Sequence, residues 1–177
     1  MRGISYEEKR NRWRCFHVSG TRTFQLRFPS EREAFWKKIE LCADDGVFPN
    51  SKSVKEGNKN AQSTKSGISN LPVGIREHFS KSRNRWRVIA HLPNGDVDQY
   101  STREYRYEDG NYKSRERVIR QESWDRYEHF KACIVKEAER HTPINKALLN
   151  RLFESTEVAL QNELNQCFKE SSNGLPH

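Results

Sequence analysis

Five residues, Arg10-Asn11-Arg12-Trp13-Arg14, occur twice: Arg83-Asn84-Arg85-Trp86-Arg87 repeats them letter for letter. A guanidinium is planar, permanently charged and presents a rigid fork of N–H donors. Its chemistry is two-point recognition of oxyanions and of paired acceptors. Three arginines within five residues, used twice on one chain, suit an extended, repeating, negatively charged partner. Nucleic acid is the first candidate. The flanks repeat as well: Gly3-Ile4 and Gly74-Ile75 precede the two copies, and Gly20 and Gly95 follow them. The chain reads as one small unit used twice, and that repetition sets the architecture.

Other chemistry has weaker support. Asp96, Asp98, Glu108 and Asp109, with Lys113 nearby, could hold Mg²⁺ for strand cleavage only if they converged. They cluster at turn signals, where solvated side chains are the simpler reading. No His-Asn-His set and no nucleophile elbow is present, so the sequence gives no catalytic residues. Cys15, Cys42, Cys133 and Cys167 form no CxxC pair, which argues against a zinc finger. Cys15 and His17 alternate on a predicted strand and could form half a metal site, but no second pair matches them. Packed free thiols are expected, with no metal and no cofactor.

The charge distribution points the same way as the repeat. The chain has 177 residues, a formal charge of +8 and 33% hydrophobic residues. Beyond residue 140 the ionisable Lys, Arg, Asp and Glu are only Lys146, Arg151, Lys169, Glu154, Glu157, Glu163 and Glu170, so the positive field belongs to the repeats. The composition allows small, ring-rich cores: nine Phe, six Tyr and four Trp stand against one Met. Met1 to Arg14 has no apolar run of the kind a signal peptide needs, and no stretch reaches the length of a membrane span. The expected compartment is reducing: cytoplasm, at the nucleoid, or nucleus.

The elements that must position the arginines follow from pattern. In residues 1–45, a short strand at Ile4-Ser5-Tyr6 leads through a polar hairpin to strands at Trp13–Val18 and Thr23–Phe28. Ser30 and Glu33 then form a capping box for a helix with Ala34, Phe35, Ile39 and Cys42 on one stripe. Residues 46–71 are rich in Ser, Asn, Lys and Gly and read as a flexible linker. Residues 72–140 repeat the unit, with a turn at Pro93-Asn94-Gly95-Asp96, a third strand through Tyr100, an inserted turn at Glu108–Asn111 and a long helix from about Ser114 to Arg140. Trp124, Tyr127, Ile134 and Ala138 mark that helix's buried stripe. Residues 141–177 form a helical extension, starting at Thr142-Pro143, with Leu148, Leu152, Leu160 and Leu164 on a stripe broken near Ser155. The fold class is α+β: two β-β-β-α units, each a three-stranded antiparallel sheet on a helix, with C-terminal helices.

A three-stranded sheet has two faces, and one helix covers one of them. Strand parity sends Trp13, Cys15 and His17, and Trp86, Val88 and Ala90, toward the helix. Arg12, Arg14, Phe16 and Val18, and Arg85, Arg87, Ile89 and His91, then lie on the open face. Gln25 and Arg27 join them if Leu26 and Phe28 pack inward. Arginine binds guanine O6 and N7 with two hydrogen bonds, Gln does the same for adenine, and apolar groups touch the thymine methyl. The arginines could also simply solvate an exposed face. The repetition of the same five residues favours binding. The tryptophan's parity makes it core and not a base-stacking platform.

The unit resembles the APETALA2/ethylene-response-factor type of DNA-binding domain and its relatives in phage, homing endonucleases and integrases. The resemblance lies in Gly3-Ile4, Trp13-Arg14-Cys15-Phe16-His17, Leu26-Arg27-Phe28 and Ser30-Glu31-Arg32-Glu33-Ala34, and in Gly74-Ile75 and Trp86-Arg87-Val88-Ile89-Ala90. It implies a sheet lying in the major groove. Ser5, Arg10, Arg12, Arg14, Phe16, Gln25 and Arg27 of the first unit would then meet bases and phosphates, as would Arg76, Arg83, Arg85, Arg87, Ile89 and His91 of the second. The first unit shortens the family's Leu-Gly-x-Phe motif and the second lacks it. Asp96 or Asp98 on the second face would repel phosphate or accept a bond from cytosine N4.

Three functions compete. The leading one is sequence-specific binding of double-stranded DNA without catalysis, in transcriptional or mobile-element regulation, with two units reading a bipartite site. The second is a nuclease or recombinase role. The third is an interaction protein whose leucine stripe pairs with a partner, or with a second copy in a homodimer through the C-terminal helices, instead of packing on its own domain.

Overall fold

The computed structural model describes residues 1–49, 71–94, 97–105 and 112–172. It contains two three-stranded antiparallel sheets and long helices, an α+β fold. The chain divides into two compact units. Unit one is Met1–Asn50 with Lys131–Ala159, and unit two is Ser51–Phe130 with Leu160–His177. The sequence groups residues 141–177 as one extension, whereas the fold divides them at Ala159. A leucine stripe specifies that a helix is buried but not on which unit.

In unit one, β1 (Ile4–Glu7), β2 (Arg12–Ser19) and β3 (Arg22–Phe28) form a meander in the order β1-β2-β3. Asn11 closes the first hairpin at φ 50°, a left-handed conformation that asparagine tolerates better than most residues. Helix α1 (Glu31–Asp45) packs across all three strands. Its start is the capping box read from sequence: Ser30 Oγ accepts from the Glu33 N–H at 3.2 Å, and the Ser30 N–H donates to Glu33 Oε2 at 3.3 Å. Its end is a Schellman turn. Gly46 sits at φ +64°, and the Val47 N–H donates to the Cys42 carbonyl at 3.0 Å. Ser30→Ala is expected to cost about 1 kcal/mol of stability, read as a lower midpoint in urea.

The core of unit one gathers Cys15, Ala34 and Leu41 with Ile4, Trp13, Phe24, Leu26 and Phe28 around them. The segment 131–159 joins this unit through rings and charge. His141 stacks on Phe35 at 4.2 Å, its carbonyl accepts from Trp36 Nε1 at 3.0 Å, and Arg151 pairs with Asp44.

In unit two, β4 (Ile75–Ser80), β5 (Arg85–Asn94) and β6 (Val97–Tyr105) repeat the meander. Asn84 at φ 49° repeats Asn11. Helices α2 (Tyr112–Ala138) and α3 (Lys146–Ser172) supply the cover. Ile119 from α2 and Leu164 and Cys167 from α3 close a core with Ile75, Val88, Ala90 and Tyr105. Of the leucine stripe, Leu152 and Leu164 are fully buried and Leu148 and Leu160 are half-buried.

Four sequence expectations change in detail. The third strand of unit two runs to Tyr105 and does not stop at Tyr100. Helix α3 starts at Lys146 with Asn145 Oδ1 accepting from the Leu148 N–H at 3.0 Å, so Thr142-Pro143 precedes the helix and does not open it. It runs unbroken past Ser155; the Ser155 and Thr156 hydroxyls are satisfied within the helix, donating to the Leu152 carbonyl at 3.1 and 2.7 Å. Residues 46–49 and Leu71 are not linker: Phe48 and Leu71 are buried. The remainder of that stretch, 50–70, lies outside the described residues, as do the turn at Gly95-Asp96 and the insertion Glu108–Asn111.

The duplication reaches further than the pentapeptide. In each unit a glycine at positive φ opens the first strand, Gly3 at +84° and Gly74 at +80°. Each glycine carbonyl accepts from the second strand, from the Phe16 N–H at 2.6 Å and the His91 N–H at 2.9 Å. A buried cation from the helix then donates to the carbonyl of that same residue. Lys38 Nζ reaches Phe16 O at 2.8 Å, and Arg126 Nε reaches His91 O at 3.0 Å. A Cβ on Gly3 would lie 2.4 Å from Phe16 O, and one on Gly74 would lie 2.5 Å from the Arg126 guanidinium. Only glycine fits either place.

Candidate nucleic-acid interface

Parity puts the arginines where the sequence places them. Trp13 and Trp86 are half-buried against their cores, each tilted on the ring across the first hairpin: Tyr6 at 5.3 Å and Phe79 at 5.2 Å. Cys15 and His17, and Val88 and Ala90, are buried beneath. The alternate residues lie on the other face. In unit one Arg12, Gln25 and Arg27 are exposed, Ser5 and Arg14 are half-buried, and Phe16 and Val18 keep 40% and 52% of their surface. Arg10 is exposed at the hairpin. In unit two Arg76 and Arg83 are exposed, and Arg85, Arg87 and Ile89 are half-buried.

His91 is the exception. Sequence parity assigns it to the open face, but it is 5% exposed. Pairing of β4 with β5 runs two residues further than in unit one: Ile75 faces Ala90, whereas Ile4 faces Cys15, the counterpart of Val88. His91 thus takes the backbone place at the glycine–cation junction that Phe16 has in unit one, held by Gly74 and Arg126, but it is buried where Phe16 keeps 40% of its surface.

Among the described side chains, one carboxylate on each face gathers its arginines, and the sequence pattern singles out neither. In unit one Glu7 on β1 accepts from Arg27 Nε at 2.7 Å and lies 3.7 Å from Arg14 Nη1. The Arg27 bond and the surrounding guanidiniums hold the Glu7 carboxyl below the usual carboxylate range. In unit two Glu104 on β6 meets Arg83 Nη1 at 3.3 Å, Arg85 Nη1 at 3.4 Å and Arg87 Nε at 3.0 Å. Partial desolvation pushes the Glu104 carboxyl up, but the hydrogen bonds from Arg87 and Arg85 and the nearby charges together keep it low. These are surface pairs, worth little to stability. They restrict three flexible side chains to a fan over one spot, which lowers the ordering entropy of a later contact. The signal for Glu104 was strand parity. With Tyr105 inward, Glu104 must point outward, but only a strand that runs to Tyr105 reveals it.

Asp96, Glu108 and Asp109 lie outside the described residues, and so do the side chains of Asp98 and Lys113. Among the described residues no group of three or more His, Cys, Asp or Glu could hold a metal ion, and no helix is long and apolar enough to cross a membrane.

His17 has a structural place. Its Nε2 meets Asp45 Oδ2 at 2.7 Å and its Nδ1 meets Lys38 Nζ at 3.0 Å. A neutral ring donating from Nε2 and accepting at Nδ1 fits both partners. Cys42 Sγ lies 3.9 Å from Nδ1, but burial pushes its thiol up to about 12, so it is no nucleophile at neutral pH. Burial, with Lys38 beside it, also pulls the His17 ring below its ordinary range despite the Asp45 bond. An unfolded chain therefore takes up this proton before the folded one does. The His17 contribution to stability is intact above about pH 6.5 and is lost progressively as pH falls below it. Melting followed from pH 7.5 to pH 5 should show unit one losing stability on acidification, and His17→Gln should flatten that slope.

Compared with protein-family models, with curated proteins and with solved structures, the chain matches none.

Proposed function

We propose that this chain binds double-stranded DNA by sequence, laying the arginine-bearing face of each sheet in a major groove, in the manner of the APETALA2 type of domain it resembles. One observation carries the reading. In both units the repeated arginines stand on the sheet face away from the tryptophan side, beside exposed Phe16, Val18 and Gln25 in unit one and half-buried Ile89 in unit two. A basic face alone suits phosphate. A basic face mixed with Gln and apolar side chains suits base edges, where guanine, adenine and the thymine methyl offer matching groups. A-form RNA has a major groove too narrow for a sheet, so duplex DNA is the favoured polymer. Two units on one chain raise affinity for a bipartite site through effective concentration. The role is regulatory, at the nucleoid or in the nucleus.

Titration of labelled DNA duplex, single-stranded DNA and RNA duplex at two salt concentrations tests this. DNA duplex should bind tightest, with log affinity falling by about 0.9 per phosphate contact for each unit of log salt. Lys81→Ala, at the hairpin rim, should weaken all duplexes alike. Equal affinity for the three polymers would reject the reading.

A further inference from the structure

Arg27 and Glu104 occupy the same place in the two sheets and carry opposite charge. Arg27 faces Arg14 across β2 and β3, and Glu104 faces Arg87 across β5 and β6. Arg14 and Arg87 are the same letter of the repeat. The central row across the open face is therefore Ser5, Arg14, Arg27 in unit one and His78, Arg87, Glu104 in unit two. The carboxylate that pairs with the arginines has also moved. Glu7 faces Arg12 in the row nearest the hairpin, where unit two has Ser80 facing Arg85. In unit two the acid stands instead in the central row, on the opposite edge strand.

An arginine in that row has donors only, and its partner in the groove is guanine O6 or N7. A carboxylate has acceptors only, and its partner is the exocyclic amine of cytosine. Two carboxylate oxygens offer about four lone-pair positions. The contacts from Arg83, Arg85 and Arg87 are at 3.0 Å or longer, and the Glu104 side chain keeps 24% of its surface. It has room for another donor. The carboxylate itself has no attraction for a phosphate, so its own partner in a groove is a base.

From this inversion we infer that the two units read different half-sites, and that Glu104 sets the difference by accepting a hydrogen bond from cytosine N4 where Arg27 donates to guanine. The inference rests on the DNA-binding reading above. The site is an asymmetric pair of half-sites and not a direct repeat. Glu104 is a specificity residue as well as an anchor for the arginines around it.

The test is selection of bound duplexes from a random pool by the full chain, by Glu104→Arg and by Glu104→Gln. The glutamine variant keeps the side chain's shape should arginine disturb the face, and a melt matching the wild type certifies the fold. The wild type should select two unlike half-sites. In both variants the preference for cytosine at one base pair should fall by roughly tenfold, with Glu104→Arg gaining guanine there, and any further change confined to the neighbouring pairs read by the arginines that Glu104 anchors. If the wild type selects a site and both variants select it unaltered at every position, this inference is overturned while DNA binding stands. If the wild type selects nothing, both readings fall together.

Discussion

Arg115→Met is expected to destabilise unit two by about 3–5 kcal/mol, the usual consequence of leaving one member of a buried ion pair alone. The Glu77 side chain on β4 has no exposed surface, and that of Arg115 in the first turn of α2 keeps 5%. Arg115 Nε donates to Glu77 Oε1 at 2.7 Å, its Nη2 donates to Oε2, and the Tyr105 hydroxyl donates to Oε1 at 2.6 Å. Three elements, β4, β6 and α2, meet on one carboxylate. Burial and the neighbouring carboxylate push the Tyr105 phenol far above its ordinary range, so it stays a donor. Methionine fills much of the arginine's volume but supplies no charge. Glu77→Gln combined with Arg115→Met should regain part of the loss, because the stranded charge is then gone. Urea unfolding of the two single variants and the double variant checks this. A single-variant loss below about 1 kcal/mol would contradict the buried character of the pair.

The largest functional effect is expected from Arg85→Ala with Arg87→Ala. Each arginine placed on a guanine contributes about 1–3 kcal/mol of discrimination, so the pair should cost roughly a hundredfold or more in affinity for the preferred duplex. Affinity for unrelated duplexes should fall much less. Their removal also strips Glu104 of two of its three partners and leaves a less compensated carboxylate on the face, which adds repulsion. Arg117→Ala, an exposed change on α2, is the control. Competition of preferred against scrambled duplex measures the effect. An equal loss on both duplexes would make these arginines phosphate clamps and not base readers.

The sheets were legible because alternation is a local signal. Trp13, Cys15 and His17 against Arg12, Arg14 and Phe16 states which side is inside, and burial follows that parity. Ser30 and Glu33 stated where α1 begins for an equally local reason. The end of β6 was not legible, because Ser101 to Glu104 are polar on both faces. Arg103, across from buried Val88, reaches from the covered side to Glu122 and Asp125 of α2, so an inward position there carries a charged residue. That one misreading hid Glu104. The burial of His91 was not legible, because alternation assigns a face and not a degree of exposure, and the two-residue longer pairing of β4 with β5 does not show in a count from the pentapeptide. The fate of the C-terminal helices was also invisible. The contacts that draw residues 131–159 into unit one, such as His141 on Phe35, span about a hundred residues of sequence and follow no period.

Residue-by-residue rates of arginine modification, with and without a bound duplex, test the central claim most directly. With both sheets seated in the groove, duplex slows modification of Arg12, Arg14, Arg85 and Arg87 on the sheet faces and leaves Arg32, Arg117 and Arg140 on the helical side unchanged. Protection of the helical arginines with the sheet arginines still reactive would show that the polymer lies elsewhere, and groove reading by these sheets would be wrong.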